Sequence, residues 1–148
     1  MECRDVWPDT GTVATIASIV AAFSVTVLAF RVQRELAIRA RGVPSWIPPA
    51  DWLLLATSTL ALVAVLLPVV AAHPTSWMHR CLPAPASAAT VVLLATYPFA
   101  LLAHYRFIFA GGRTGVRGPS ERGEVLVIRA GSLLSFAIFG WALYLHAA

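Results

Sequence analysis

Four apolar stretches of about 19 to 24 residues constrain this chain more than anything else in it. They cover residues 12–30, 52–72, 88–109 and 125–146. As α-helix, a run of that length crosses the roughly 30 Å hydrocarbon core of a bilayer. The overall balance agrees: of 148 residues, 59% are hydrophobic and only 12% charged, where a soluble domain carries close to a quarter charged residues. The expected fold is all-α, an integral membrane four-helix transmembrane bundle. It forms a single membrane domain over 1–148, with no room for a separate soluble unit.

The charge of the connections orients the bundle. The formal net charge of +4 comes from arginine, since the chain has no lysine. Loop 31–51 holds Arg31, Arg34, Arg39 and Arg41 against Glu35, and the connection up to 124 holds Arg106, Arg113, Arg117 and Arg122 against Glu121 and Glu124. The N-terminal tail and the 73–87 loop hold only Arg4 and Arg80. With four spans the two basic loops, 31–51 and 110–124, share a side. The positive-inside rule makes that side cytoplasmic, with both termini extracytoplasmic. A basic membrane protein of this kind reads as topology, not as nucleic-acid binding. The absence of lysine and asparagine reads as a bias towards GC-rich codons, so a bacterial inner membrane is the expected location. No cleavable signal is expected either, because Glu2, Asp5 and Asp9 outnumber Arg4 ahead of the first span.

Phe30 to Arg41 is the most distinctive polar segment. Helical spacing continues through it beyond the membrane, with Gly42 and Pro44 as stops. Glu35 lies four residues from both Arg31 and Arg39, where it can brace the helix surface. Gln33 prolongs a stripe of small and weakly polar residues from the first span. This protruding helix is the expected contact for a cytoplasmic protein partner or for anionic lipid, through Arg31, Gln33, Arg34, Glu35, Arg39, Arg41 and the arginines of the second basic loop.

Small residues recur at helical spacing in every span. Thr15, Ser18, Ala22, Thr26 and Ala29 form one stripe on the first. Thr57, Ala61, Ala64, Pro68 and Ala71 do so on the second, Ala89, Thr96, Ala100 and Ala103 on the third, and Gly131 with Ser135 on the fourth. Such stripes let helix backbones approach closely. They serve packing inside the bundle, a subunit interface or a pore lining. Pro68 and Pro98 each remove a backbone hydrogen bond, so bends or hinges are expected there. Thr10 or Thr12 is read as the cap of the first helix and Asp51 as the cap of the second; a buried functional carboxylate is the competing reading for Asp51. Arg129, about one turn inside the fourth span, either snorkels to the surface or pairs with Asp51 or Glu124.

Chemistry-bearing motifs are sparse. Cys3 and Cys81 fall on the same outer side, where a disulfide between them can form. His73, His79, Cys81 and His146 gather there too, but their spacing matches no strong metal or haem motif. No cofactor is expected. No catalytic triad, zinc-protease helix or phosphate loop occurs, and no acid lies in the middle of a span. Three function classes follow: a non-catalytic, oligomeric membrane subunit or adaptor; an oligomeric channel or pore-forming effector; and a membrane enzyme or haem-carrying electron-transfer subunit. The first is preferred. The partners expected are membrane lipids, further copies of the chain or the other members of a membrane complex, and a cytoplasmic protein.

Overall fold

A computed structural model describes residues 9–42, 49–104 and 121–147. Among the described residues there is no strand; α1 runs over Thr10–Ala40, α2 over Asp51–Ala71, α3 over Trp77–Arg80, α4 over Pro83–His104 and α5 over Glu121–Ala147. Four of these, α1, α2, α4 and α5, are long and apolar enough to cross a membrane. The protein is an all-α, multi-pass membrane protein, as the four apolar runs require.

The helix ends follow local chemistry. Asp9 caps α1: its carboxylate accepts from the Thr12 N–H at 3.0 Å and the Thr12 hydroxyl at 2.7 Å. The cap is thus Asp9, not Thr10 or Thr12, because a carboxylate one turn ahead satisfies an orphan amide and a hydroxyl together. These hydrogen bonds from Thr12 hold the Asp9 carboxyl below its ordinary pKa. α1 is continuous for 31 residues, about 46 Å at 1.5 Å per residue. It ends at Gly42, whose φ of 71° puts it in the left-handed region that favours glycine.

α2 contains a wide turn. Over Ala61–Leu66 the backbone shifts to π-helical hydrogen bonding, and the Leu67 N–H donates to the Leu62 carbonyl five residues back. Pro68 follows directly. Its ring clashes with the carbonyl four residues earlier and it has no N–H to give, and a widened turn accommodates both. α4 begins at Pro83, five residues before the expected start at 88. Pro83 and Pro85 sit in the first turn, where amides need no intrahelical partner, so they open the helix instead of prolonging the loop. Helix continues through Pro98 to His104. The expected loop at 73–87 also holds α3, capped by the Ser76 hydroxyl on the His79 N–H at 3.2 Å.

Packing is tightest between α4 and α5, and α2 lies against both α1 and α4. Two apolar clusters fill the bundle. Val13, Ala17, Ala21, Ala61, Val65 and Ala86 make one, near the start of α1. Ala50, Leu53, Leu54, Leu93, Tyr97 and Ala100 make the other, near its middle and end. Alanine recurs in both, consistent with close backbone approach as the source of helix association in lipid. Large apolar side chains such as Phe23, Val70, Leu133 and Phe136 are exposed instead, which suits surfaces solvated by acyl chains.

Candidate functional site

Where α1 leaves its apolar part, the bundle gathers ionisable groups from all four long helices. Asp51, at the first position of α2, is almost fully buried. Its Oδ1 accepts from Arg31 Nε on α1 and from the Tyr97 hydroxyl on α4, each at 3.3 Å. Ala50 holds the cap position and no side chain caps the helix there. Asp51 is therefore a buried carboxylate and not an N-cap. The arginine and tyrosine draw its side chain sideways into the bundle.

Beside it, Glu124 on α5 is completely buried. Its Oε1 accepts the Ala50 N–H at 2.7 Å, and its Oε2 meets His104 Nδ1 at 2.8 Å. One carboxylate thus joins the start of α2, the end of α4 and the first turn of α5. It also satisfies an amide at the start of α2, where no local side chain caps the helix.

Glu35 completes the layer. The expected brace to Arg39 does not form among the described residues. Instead Glu35 Oε2 is buried and accepts no hydrogen bond. Arg31, Glu35 and Asp51 border a groove of about 130 Å³ between α1 and α2, with Leu28, Val32, Leu55 and the Trp52 ring as its other walls. Of the two carboxylates, it is Asp51 that accepts from the Arg31 guanidinium.

The remaining candidates divide into three groups. Gln33, Arg34, Arg39 and Arg41 are exposed, whereas Arg31 is partly covered by its pairing with Asp51. Arg129 is exposed on α5, and the pairings of Asp51 and Glu124 run to Arg31, Tyr97 and His104 in its place. An arginine on the outer face reaches headgroups along its own stem, so snorkelling accounts for it. Arg106, Arg113 and Arg117, and the side chains of Arg122 and His146, lie outside the described residues.

Among the small-residue stripes, Thr57, Ala61, Pro68, Ala89, Thr96, Ala100, Ala103, Gly131 and Ser135 are buried, and Ala64 is half-buried. Ala71, at the end of α2, is exposed. The α1 stripe of Thr15, Ser18, Ala22, Thr26, Ala29 and Gln33 is exposed throughout, which corrects its reading as an internal packing face. The buried face of α1 is Val13, Ala17, Val20, Ala21 and Ser24. The outward hydroxyls need no neighbouring helix: Thr15, Ser18 and Thr26 donate to the carbonyls four residues back at 2.9, 2.8 and 2.7 Å.

At the opposite end, His73 Nδ1 is bonded to the Thr75 hydroxyl at 2.8 Å and His79 Nδ1 to the Pro68 carbonyl at 3.2 Å. Cys81 is disulfide-bonded; Cys3, the other cysteine of the chain, lies outside the described residues. No group of three ligands suited to a metal ion occurs among the described residues.

Glu124, Tyr97 and His104 are the members of the buried layer that sequence reasoning missed. Glu124 had a signal: an acid followed at once by the apolar run belongs to the first helical turn as readily as to the loop. Tyr97 is a lone hydroxyl in mid-span, whose partner comes from a different helix. Neither a family model, nor a curated protein, nor a solved structure matches this chain.

Proposed function

We propose that this protein is a non-catalytic membrane subunit or adaptor, that it assembles with copies of itself or with other membrane chains, and that the exposed end of α1 docks a cytoplasmic protein. The observation that carries this reading is the unbroken 31-residue length of α1. It exceeds a hydrocarbon core of roughly 30 Å by about ten residues. Gln33, Arg34, Leu36 and Arg39 are exposed on that extension. In this reading the arginine-rich end faces the cytoplasm of a bacterial inner membrane and both termini face outward. Anionic headgroups add to the attraction.

Arg31 does not belong to the docking set, because it is committed to Asp51. The informative variant is therefore Arg34→Gln, Arg39→Gln and Arg41→Gln together, with Arg31 kept. Affinity purification from membranes should recover a cytoplasmic protein with the unaltered chain and lose it with the triple variant. Recovery of no such protein, or equal recovery by both, overturns the adaptor reading. A channel is the second reading, favoured by the outward hydroxyls of Thr15, Ser18 and Thr26, which give an oligomer a polar surface to line a pathway. Ion flux into liposomes, abolished by Thr15→Leu with Ser18→Leu, is its test.

A further inference from the structure

We infer that the bond at Cys81 is a sealed disulfide, closed with Cys3 by an extracytoplasmic thiol–disulfide oxidoreductase before α4 packs. The inference is independent of the adaptor reading. It shares with that reading only the orientation of the bundle, reached there from charge and here from sulfur chemistry. The first observation is the bond itself. Cys81 is disulfide-bonded, and the sequence holds one other cysteine, Cys3. A bond within one chain therefore closes on the N-terminal tail, around 77 intervening residues that include all of α1 and α2. Closing a loop that long restricts the unfolded chain and so favours the folded one.

The second observation is burial. Cys81 is only 3% exposed, in the corner between α3 and the Pro83 that opens α4. Short bonds hold this corner shut. His79 Nδ1 donates to the Pro68 carbonyl of α2 at 3.2 Å, and the Cys81 N–H donates to the Trp77 carbonyl at 2.9 Å. Exchange needs a thiolate to reach a sulfur. A sulfur this covered neither gains nor loses its bond while the corner is closed, so the bond precedes the packing of α4 and outlasts it. The third is place. Asp51 at the start of α2 meets Tyr97 of α4, 14 residues beyond Pro83, about 21 Å along the helix. Cys81 therefore lies at the end of the bundle opposite the arginine-rich extension of α1. The cytosol keeps thiols reduced, whereas the outer side of a bacterial inner membrane lets disulfides persist. A disulfide at this end turns it outward without reference to any arginine. In the step itself, one thiolate of the chain attacks the oxidoreductase's own disulfide and forms a mixed disulfide. The second thiolate then displaces the enzyme. The chain gains an S–S bond and gives up two protons and two electrons, and the enzyme leaves as a dithiol.

Counting thiols tests each part. Cells making the full chain are quenched in acid, denatured and treated with a maleimide–polyethylene glycol, which adds one mass step per free thiol. Chain from an ordinary bacterial host should show no step, and a step for each cysteine after reduction under denaturing conditions. Chain from a host without its periplasmic dithiol oxidase should show both steps at once. Cys3→Ser should show a single step without reductant, because it leaves Cys81 unbonded. In intact detergent micelles, millimolar dithiothreitol should free the thiols about tenfold more slowly than after unfolding, because only a local opening of the corner exposes the sulfur. Free thiols in chain from the ordinary host overturn the bond. A reductant-sensitive dimer, or Cys81 still oxidised in Cys3→Ser, overturns its pairing. Equal oxidation in both hosts overturns its supply by exchange, and equal rates of reduction in folded and unfolded chain overturn the seal.

Discussion

Thr15, Ser18 and Thr26 on α1 and Thr96 and Ser135 on α4 and α5 are small hydroxyl residues set at helical spacing in apolar spans, yet the first three face outward and the last two are buried. The difference lies in the neighbours more than in the hydroxyl's own bond, since Thr96 too donates to its own helix, to the Val92 carbonyl at 2.8 Å. On α1 every one of the three closes a bond to its own helix. On α5, Ser135 reaches across to the Ala89 carbonyl of α4 at 3.0 Å. One turn away Gly131 meets Thr96 so closely that a Cβ built there would overlap Thr96 Cγ2. A hydroxyl alone therefore does not mark an interface in a membrane helix. A hydroxyl beside a glycine does, since the glycine is what lets the second backbone come near.

If that seam and the Glu124 bridge hold the bundle together, changes there are costly and changes on the α1 stripe are not. The largest expected effect is Glu124→Leu. It removes the acceptor of the Ala50 N–H and one partner of the His104 ring in a buried setting, a loss of about 2–4 kcal/mol. Glu124→Gln, which keeps the acceptor for Ala50, should cost clearly less. Unfolding by a harsh detergent, followed by circular dichroism, measures both. Next comes Gly131→Ala. The added methyl meets the Cβ of Thr96 as well as its branches, so no side-chain rotation clears it, and overpacking of this kind costs about 1–3 kcal/mol. Thr96→Gly should relieve part of that cost, with a coupling of about 1 kcal/mol in a double-mutant cycle. No coupling means that the two helices part instead of repacking. Ser135→Ala removes one interhelical hydrogen bond, worth about 0.6 kcal/mol in membrane proteins.

How far this was legible in the sequence depends on the range of each interaction. The four spans follow from composition and length alone, because the bilayer sets both. Gly42 ends α1 as expected, since a left-handed stop is written in one residue. Asp51 reads as a cap because caps are local, whereas its real partners lie 20 residues before it and 46 after it. Nothing in the chain near Asp51 announces Arg31 or Tyr97. Glu124 was hidden by a boundary: with the fourth span begun at 125, it reads as loop charge. With α5 begun at Glu121, it falls in the first turn and points into the bundle. The face of α1 was illegible for another reason. Both sides of that helix carry small residues, Ala17, Ala21 and Ser24 on one and Ser18, Ala22 and Thr26 on the other, so residue size cannot choose between them.

The smallest effect is the most discriminating. Thr15→Val, Ser18→Ala and Thr26→Val together remove three hydroxyls whose bonds stay within one turn of α1. Each change also deletes a back-bond that slightly strains a helix, and the new side chains face the same surroundings as Ile16, Ile19 and Phe23, which are exposed already. The stability of the isolated bundle should therefore shift by no more than about 0.5 kcal/mol, the range of ordinary surface substitutions. The same variant should lower the oligomeric mass in native mass spectrometry if the stripe seats a second copy, because the added methyl groups alter the surface that close helix approach depends on. A destabilised monomer returns the stripe to the interior and undoes the contrast with the α4–α5 seam. An unchanged monomer with an unchanged mass makes the stripe a lipid-facing surface whose hydroxyls are indifferent to what surrounds them.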